Sequence, residues 1–208
     1  LLHNGKKGQL TLGYVGSAMQ QIIPKLLLNF RKENPDIIFS LKEMDNQKQI
    51  EDLLNFNMDI GFVRLEHVPN TIEKLTVLSD PFCLVLPESH EIDASNFKNL
   101  DQFKNESVIL FDPAYSNSYY QKVLKIFEDS GFSPIISHLT IHANSIYKLV
   151  ENNFGISIVP KSLVNKNANG IKFIELDTIP QRTDLSLVWN KSNRNPLLPI
   201  ILDLARNN

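Results

Sequence analysis

The chain has 208 residues, of which 42% are apolar and 21% charged, with a net charge of −2. This is the composition of an ordinary globular protein of one large domain or two smaller lobes, and it argues against a basic surface that grips nucleic acid through its phosphates. A lone cysteine, Cys83, excludes an internal disulfide, and no apolar run approaches the length of a membrane span.

The first residues, Leu1-Leu2-His3-Asn4-Gly5-Lys6-Lys7-Gly8, lack an initiator methionine and are no signal peptide. They read as the end of a linker, which implies a fragment of a longer protein. Alternation over residues 9–15 predicts a strand. Gly16 allows a sharp turn and Ser17 is a good helix N-cap. Ile22, Ile23, Leu26, Leu27 and Phe30 share one face of a helix over 18–33, in which Pro24 is tolerable only in the first turn or at a kink. Asn34-Pro35-Asp36 ends it. Such a strand–turn–helix leaves N–H groups at a partly positive end, suited to a carboxylate or phosphate.

A second strand spans 37–44, with Phe39 and Leu41 on one face. Asp45 or Asn46 then caps a helix running to Leu54, and 58–63 is a third, mostly buried strand. Strand–helix–strand–helix–strand implies parallel pairing with right-handed crossovers. Strands at 72–78 and 81–87 follow, and Pro87-Glu88-Ser89-His90 looks like an exit from a first lobe. A second cycle comprises a short helix at 96–103, a strand at 108–111, a polar and aromatic loop at 112–119 and a helix at 118–130 stopped by Gly131. A strand at 135–141, a helix at 143–153, a strand at 156–160, a short helix at 161–166 and a strand at 171–176 complete it. The strand at 184–189 and the amphipathic helix at 196–206 are expected to return to the first lobe. The predicted organisation is a linker end at 1–8, lobe I at 9–87 and 184–208, and lobe II at 88–183. Two Rossmann-like α/β lobes joined by two crossover segments would make a hinged clam, with a ligand cleft between them.

The motifs Gln9-Leu10-Thr11-Leu12-Gly13-Tyr14-Val15-Gly16-Ser17, Ile23-Pro24-Lys25-Leu26-Leu27 and Phe30-Arg31-Lys32-Glu33-Asn34-Pro35 are followed by Leu53-Leu54, Met58-Asp59-Ile60-Gly61-Phe62, Phe154-Gly155-Ile156-Ser157-Ile158-Val159-Pro160 and Asn195-Pro196-Leu197. Each motif is weak alone; their order and spacing are specific. Together they make the chain resemble the effector-binding domain of LysR-type transcriptional regulators over residues 9–206. The turn at 16–18 and the segment Phe62-Val63-Arg64-Leu65 look most like the subgroup that senses small carboxylates.

The resemblance implies a fold like that of periplasmic binding proteins and a small organic acid effector between the lobes. It implies a homodimer or homotetramer in the cytoplasm, and DNA contacts made only through an absent N-terminal winged helix-turn-helix. Carried over by position, Ser17 and Ala18 fall where a serine hydroxyl and neighbouring backbone N–H groups hold the effector carboxylate. Asn46 falls where a threonine usually serves. Asn117, Ser118 and Tyr119 fall on the loop that closes over the ligand, and Gly155 on the turn lining the far side of the cleft. At 117–119 the aromatic-acid sensors tend to carry proline, asparagine and phenylalanine, so this departure points to a smaller or more polar effector.

Plainer readings stand beside these. Ser17 and Asn46 also serve as helix caps, and Asn117 and Ser118 as turn formers. Tyr119 also suits a core. Arg64, at the expected C-terminal edge of the sheet, can clamp a carboxylate bidentately or form an interlobe or surface ion pair with Glu66 or Glu43. Cys83 sits in an apolar run as a small hydrophobe. His138 and His142, four apart on or after a strand, do not make a metal pair, and neither a metal nor a cofactor is expected. No nucleophile–base constellation, Walker loop or dinucleotide fingerprint is visible, so an enzyme has least support. A transporter's solute-binding protein, with the same fold, is the alternative to a regulatory domain.

Overall fold

The computed structural model describes residues 8–165 and 167–207. They form two α/β units: one runs to Ser79 and resumes at Asp184, and the other is Asp80–Thr183.

In the first unit, β1 (Gly8–Tyr14) lies parallel to both β2 (Ile37–Glu43) and β3 (Ile60–Val63). With β4 (Ile72–Asp80) and β10 (Thr183–Asn190) they give the order β2-β1-β3-β10-β4, in which β10 is antiparallel to β3. Central parallel strands must be covered on both faces, and the sequence supplies the cover. Helix α1 (Ile22–Glu33) buries Ile23, Leu26 and Phe30, and α2 (Asn46–Leu54) buries Ile50 and Leu53. Helix α5 (Leu198–Arg206) buries Leu198, Ile201 and Leu202 and packs beside α1. Phe30 meets Phe39 edge to face at 5.2 Å, which seats α1 on β2.

The second unit repeats this plan. Its strand β6 (Ser107–Phe111) is parallel to β7 (Ile135–Thr140), while β8 (Ser157–Pro160) and β9 (Ile171–Glu175) flank β5 (Phe82–Pro87) antiparallel. Ile156 bridges to Val108 in parallel fashion, so the strands succeed one another as β7-β6-β8-β5-β9. Helices α3 (Pro113–Asp129) and α4 (Ala143–Glu151) pack on β6. In each unit the fourth strand is the one reached immediately after the chain crosses over, β5 in the second and β10 in the first.

Several expected boundaries move. Residues 80–87 belong to the second unit, not the first, because β5 is buried along its whole length and needs neighbours on both sides. Gly8 is in β1 and not in a linker; residues 1–7 lie outside the described residues. The helix expected at 18–33 is a 3-10 turn, Gly16–Gln20, then a break at Gln21, then α1. Pro24 is thereby the third residue of α1, where a missing N–H costs nothing. The helix expected at 96–103 is only a 3-10 turn, Leu100–Phe103, closed by a capping box on Asn99. The loop expected at 112–119 is already helical from Pro113, kinked at Ser116.

At the N-terminal edge of the first sheet, Asp59 fastens the tail. Its carboxylate accepts the Thr11 N–H at 2.8 Å, Asn193 Nδ2–H at 3.2 Å and Asn195 Nδ2–H at 3.0 Å. Asn195 also donates to the Gln9 carbonyl at 3.1 Å and accepts from Leu197 N–H, which starts the chain into α5. Asp59→Ala is expected to destabilise the first unit by about 2–4 kcal/mol, since it leaves several donors without their charged acceptor. Urea unfolding followed by the fluorescence of Trp189, the single tryptophan, measures this; an unchanged midpoint refutes it.

Candidate functional site

Strands β1, β2 and β3 are parallel, so their C-terminal ends share one edge of the sheet, where open α/β folds place ligands. Three segments leave that edge. From β1 comes the turn Gly16-Ser17-Ala18, from β2 the start of α2, and from β3 Arg64. Asp45 caps α2 by accepting Lys48 N–H at 2.7 Å. Asn46, the first helical residue, is thereby released from capping, and its Oδ1 accepts the Arg64 backbone N–H at 2.8 Å. The Arg64 side chain turns toward the first segment and donates from Nε to Ser17 Oγ at 3.0 Å. One arginine therefore ties together the exits of all three strands.

Arg64 is only 4% exposed, with Ser17 and Asn46 comparably buried. Arg64 is therefore not a surface residue. A guanidinium is charged at every physiological pH and offers a planar fork of donors. Ser17 Oγ accepts from it and keeps its own hydroxyl proton as a donor. The edge thus presents positive charge and a hydroxyl donor, the chemistry that recognises a carboxylate. Glu43 lies beside this edge: a Cβ on Gly16 would stand 3.0 Å from its Oε1. Burial, and secondarily the Glu43 carboxylate, push the Tyr14 phenol above its usual range.

Among the expected site residues, Ser17, Ala18, Asn46 and Arg64 come together in the first unit. Ala18 is corrected in one respect. Its N–H is committed to the Val15 carbonyl at 2.9 Å, so it closes the turn and is not offered to a ligand. Its side chain is fully buried, which accounts for its small size.

In the second unit the expectations fare differently. Asn117 is exposed and accepts weakly from Gln121 at 3.4 Å; it and Ser118 open the straight part of α3 after the kink at Ser116. Tyr119 is not at a cleft edge. It is buried against Phe82 and Phe111, and its hydroxyl donates to the Ile158 carbonyl. Gly155 does not line the end of the strands where ligands bind. It precedes β8, and Ile156 N–H bonds to the carbonyl of Ser107, the first residue of β6. It therefore sits at the opposite edge from the turns that follow β6 and β8. Its φ of +149° and the 2.2 Å that would separate a Cβ from Ser107 O explain the glycine by packing alone.

Burial pushes the Cys83 thiol up to about 12, as expected of a small hydrophobe. His138 meets Phe154 edge to face, and no group of three or more potential metal ligands occurs among the described residues. Sequence reasoning missed Gln49. Its signal was present: positions 46, 49, 50 and 53 lie on one helix face, and two of them are polar.

Residues 3–208 match the family described as the LysR substrate binding domain. The chain belongs to that family. It is 28% identical over 203 residues to the HTH-type transcriptional regulator AlsR of Bacillus subtilis (strain 168), covering 97% of this chain and 67% of AlsR. It thus spans about two thirds of that regulator's length. Among solved structures, the BenM effector-binding domain with its effector benzoate superposes with a TM-score of 0.82 at 20% identity, covering 97% of this chain and 91% of that one. The effector-binding domain of QuiR in complex with shikimate gives 0.83 at 22%, covering 96% of each. The fold is the mixed α/β, periplasmic-binding-protein-like fold of LysR effector-binding domains.

Gly155→Ala is expected to destabilise the second unit by about 2–4 kcal/mol through the clash with Ser107. Thermal denaturation followed by circular dichroism checks this, and a melting curve identical to wild type would contradict the packing assigned to Gly155.

Proposed function

We propose that this chain is the sensing part of a LysR-type transcriptional regulator and binds a small organic acid at the Ser17–Asn46–Arg64 edge of its first unit. The carrying observation is the buried Arg64, held by Ser17 through Nε and by Asn46 through its backbone. A family match to a LysR substrate binding domain supports sensing over transport, and the similar proteins are a regulator and effector-binding domains rather than transport proteins or enzymes. Benzoate and shikimate are both carboxylates, so the positive edge agrees with the class. DNA contacts are supplied by a part of the regulator outside residues 1–208, and the working compartment is the cytoplasm. Effector binding shifts the regulator by its preference for one state, about 1–3 kcal/mol in typical allostery.

A thermal-shift screen over small organic acids, beginning with benzoate and shikimate and including their methyl esters, tests the class. An acid that binds raises the melting temperature with concentration, and its ester does not. Calorimetry with that acid should show about tenfold weaker binding for Ser17→Ala and more than about hundredfold for Arg64→Ala, roughly 1.4 and 2.7 kcal/mol. Esters that stabilise as well as acids, or unchanged affinity in both variants, would refute the assignment.

The same proposal includes self-association through sheet edges. In the first unit Leu28 on α1 and Ile38 on β2 are 63% and 66% exposed. Beside them Pro24, Leu27, Arg31, Ile37 and Phe39 line an open groove of about 430 Å³. In the second unit, Ile135 and Leu139 are exposed on β7, which is again terminal in its strand order. Exposed apolar edge strands invite pairing, and a second copy of this chain brings a matching set. Leu28→Asp combined with Ile38→Asp is expected to yield monomer in sedimentation velocity where the wild type is dimeric; a monomeric wild type at about 100 μM, well above the Kd of a stable dimer, would rule this out.

A further inference from the structure

Gln49 is fully buried in the first turn of α2, and its Oε1 is the one buried side-chain oxygen or nitrogen without a hydrogen-bond partner among the described residues. The other end of its amide is used: Nε2 donates to the Met44 carbonyl at 3.2 Å, beyond the end of β2. Beneath it Gly13 of β1 and Gly61 of β3 are register partners without side chains, and Gln49 shares the space over them with Met58 and Val188. A Cβ on Gly61 would stand 2.9 Å from Gln49 Oε1, and one on Gly13 3.1 Å from Gln49 Cγ. The orphan oxygen faces the Gly61 backbone with no hydrogen-bond donor, which leaves its desolvation cost uncompensated.

A leucine or methionine would fill this place without such a cost, so packing does not explain a glutamine here. Position does. Gln49 stands one turn after Asn46 on the same face of α2. Pinned to Met44 at one end and laid across the glycine pair at the other, it fixes the first turn of α2 over β1 and β3. That sets the height at which Asn46 meets the Arg64 N–H, three residues beyond Gly61. We infer that Gln49 is a positioning residue that holds Asn46 and Arg64 in register at the anion-binding edge, at the expense of the stability of the unit. This rests on the reading of that edge as the effector site, but its test needs no effector.

The experiment compares wild type, Gln49→Met and Asn46→Ala by amide hydrogen exchange and thermal melting. Methionine keeps the volume, and water can take over the half-buried Met44 carbonyl. In Gln49→Met the Arg64 amide is expected to exchange at least about tenfold faster than in wild type, approaching Asn46→Ala, while the Leu12 and Ile60 amides keep their protection and the melting temperature stays within about 2 °C of wild type or rises. Unchanged exchange at Arg64 overturns the inference. So does a variant that melts lower or fails to fold, since Gln49 would then be ordinary core. Loss of register in a protein that binds no acid would instead leave the positioning role standing and refute the effector reading alone.

Discussion

The first unit depends on one buried cation. Three parallel strands release their chains at a common edge, and nothing in a β-ladder fixes where those exits point. Arg64 does so by donating its backbone N–H to Asn46 and its Nε–H to Ser17. Sequestering a guanidinium from water costs several kcal/mol unless its donors are met. Ser17 meets one of those donors, and Asn46 meets the backbone N–H of the same residue; both are buried. An edge built in this way is preorganised, because its groups already order one another.

The two units share a strand plan yet spend the equivalent edge differently. After β1 the first unit has Gly16-Ser17 and a 3-10 turn, which keep the backbone thin and the hydroxyl directed at Arg64. After β6 the second unit has Asp112, whose carboxylate caps Ala114 N–H at 2.7 Å, and then a proline. Tyr119, one turn into the straight part of α3, goes inward to the Ile158 carbonyl and becomes core. A common topology thus carries a buried arginine between its exits in one copy and a buried tyrosine in the other, a difference made by a few residues on the exits and not by the sheet.

Much of this was legible from periodicity. Alternation in 9–15 and 37–44, the helical stripe of Ile23, Leu26 and Phe30, and the breaks at Asn34-Pro35 and Gly131 are local signals, and the strands and helices they mark are present within a few residues. What sequence could not show was the partner of each polar group. Ala18 N–H was spent on Val15, a choice made by the tightness of a 3-10 turn. Gly155 and Gly16 look alike in a sequence, yet one answers a backbone carbonyl that a Cβ would approach to 2.2 Å and the other a glutamate side chain. The strand at 82–87 follows its neighbour after a single residue, which suggests the same sheet; only its complete burial, with β8 and β9 on either side, reveals that the chain had already crossed.

The ends of the first sheet are both fastened, and this limits how binding can be felt elsewhere. Asn46, Arg64 and Ser17 lock the C-terminal edge, while Asp59, Asn193 and Asn195 lock the N-terminal edge to the tail. Between them β3 is buried throughout, and Leu10 and Leu12 of β1, like Ile60 and Phe62 of β3, are inaccessible to solvent. A body packed in this way does not deform by degrees. Coupling needs an element with two arrangements that a ligand can bias, and a unit clamped at both edges is a poor one. Two chain crossings, at 79/80 and 183/184, join it to the second unit. Each unit holds its own end of those crossings: the Ser79 hydroxyl donates to Asp184 at 2.7 Å within the first, and Asp80 accepts the Ser162 N–H at 3.1 Å within the second.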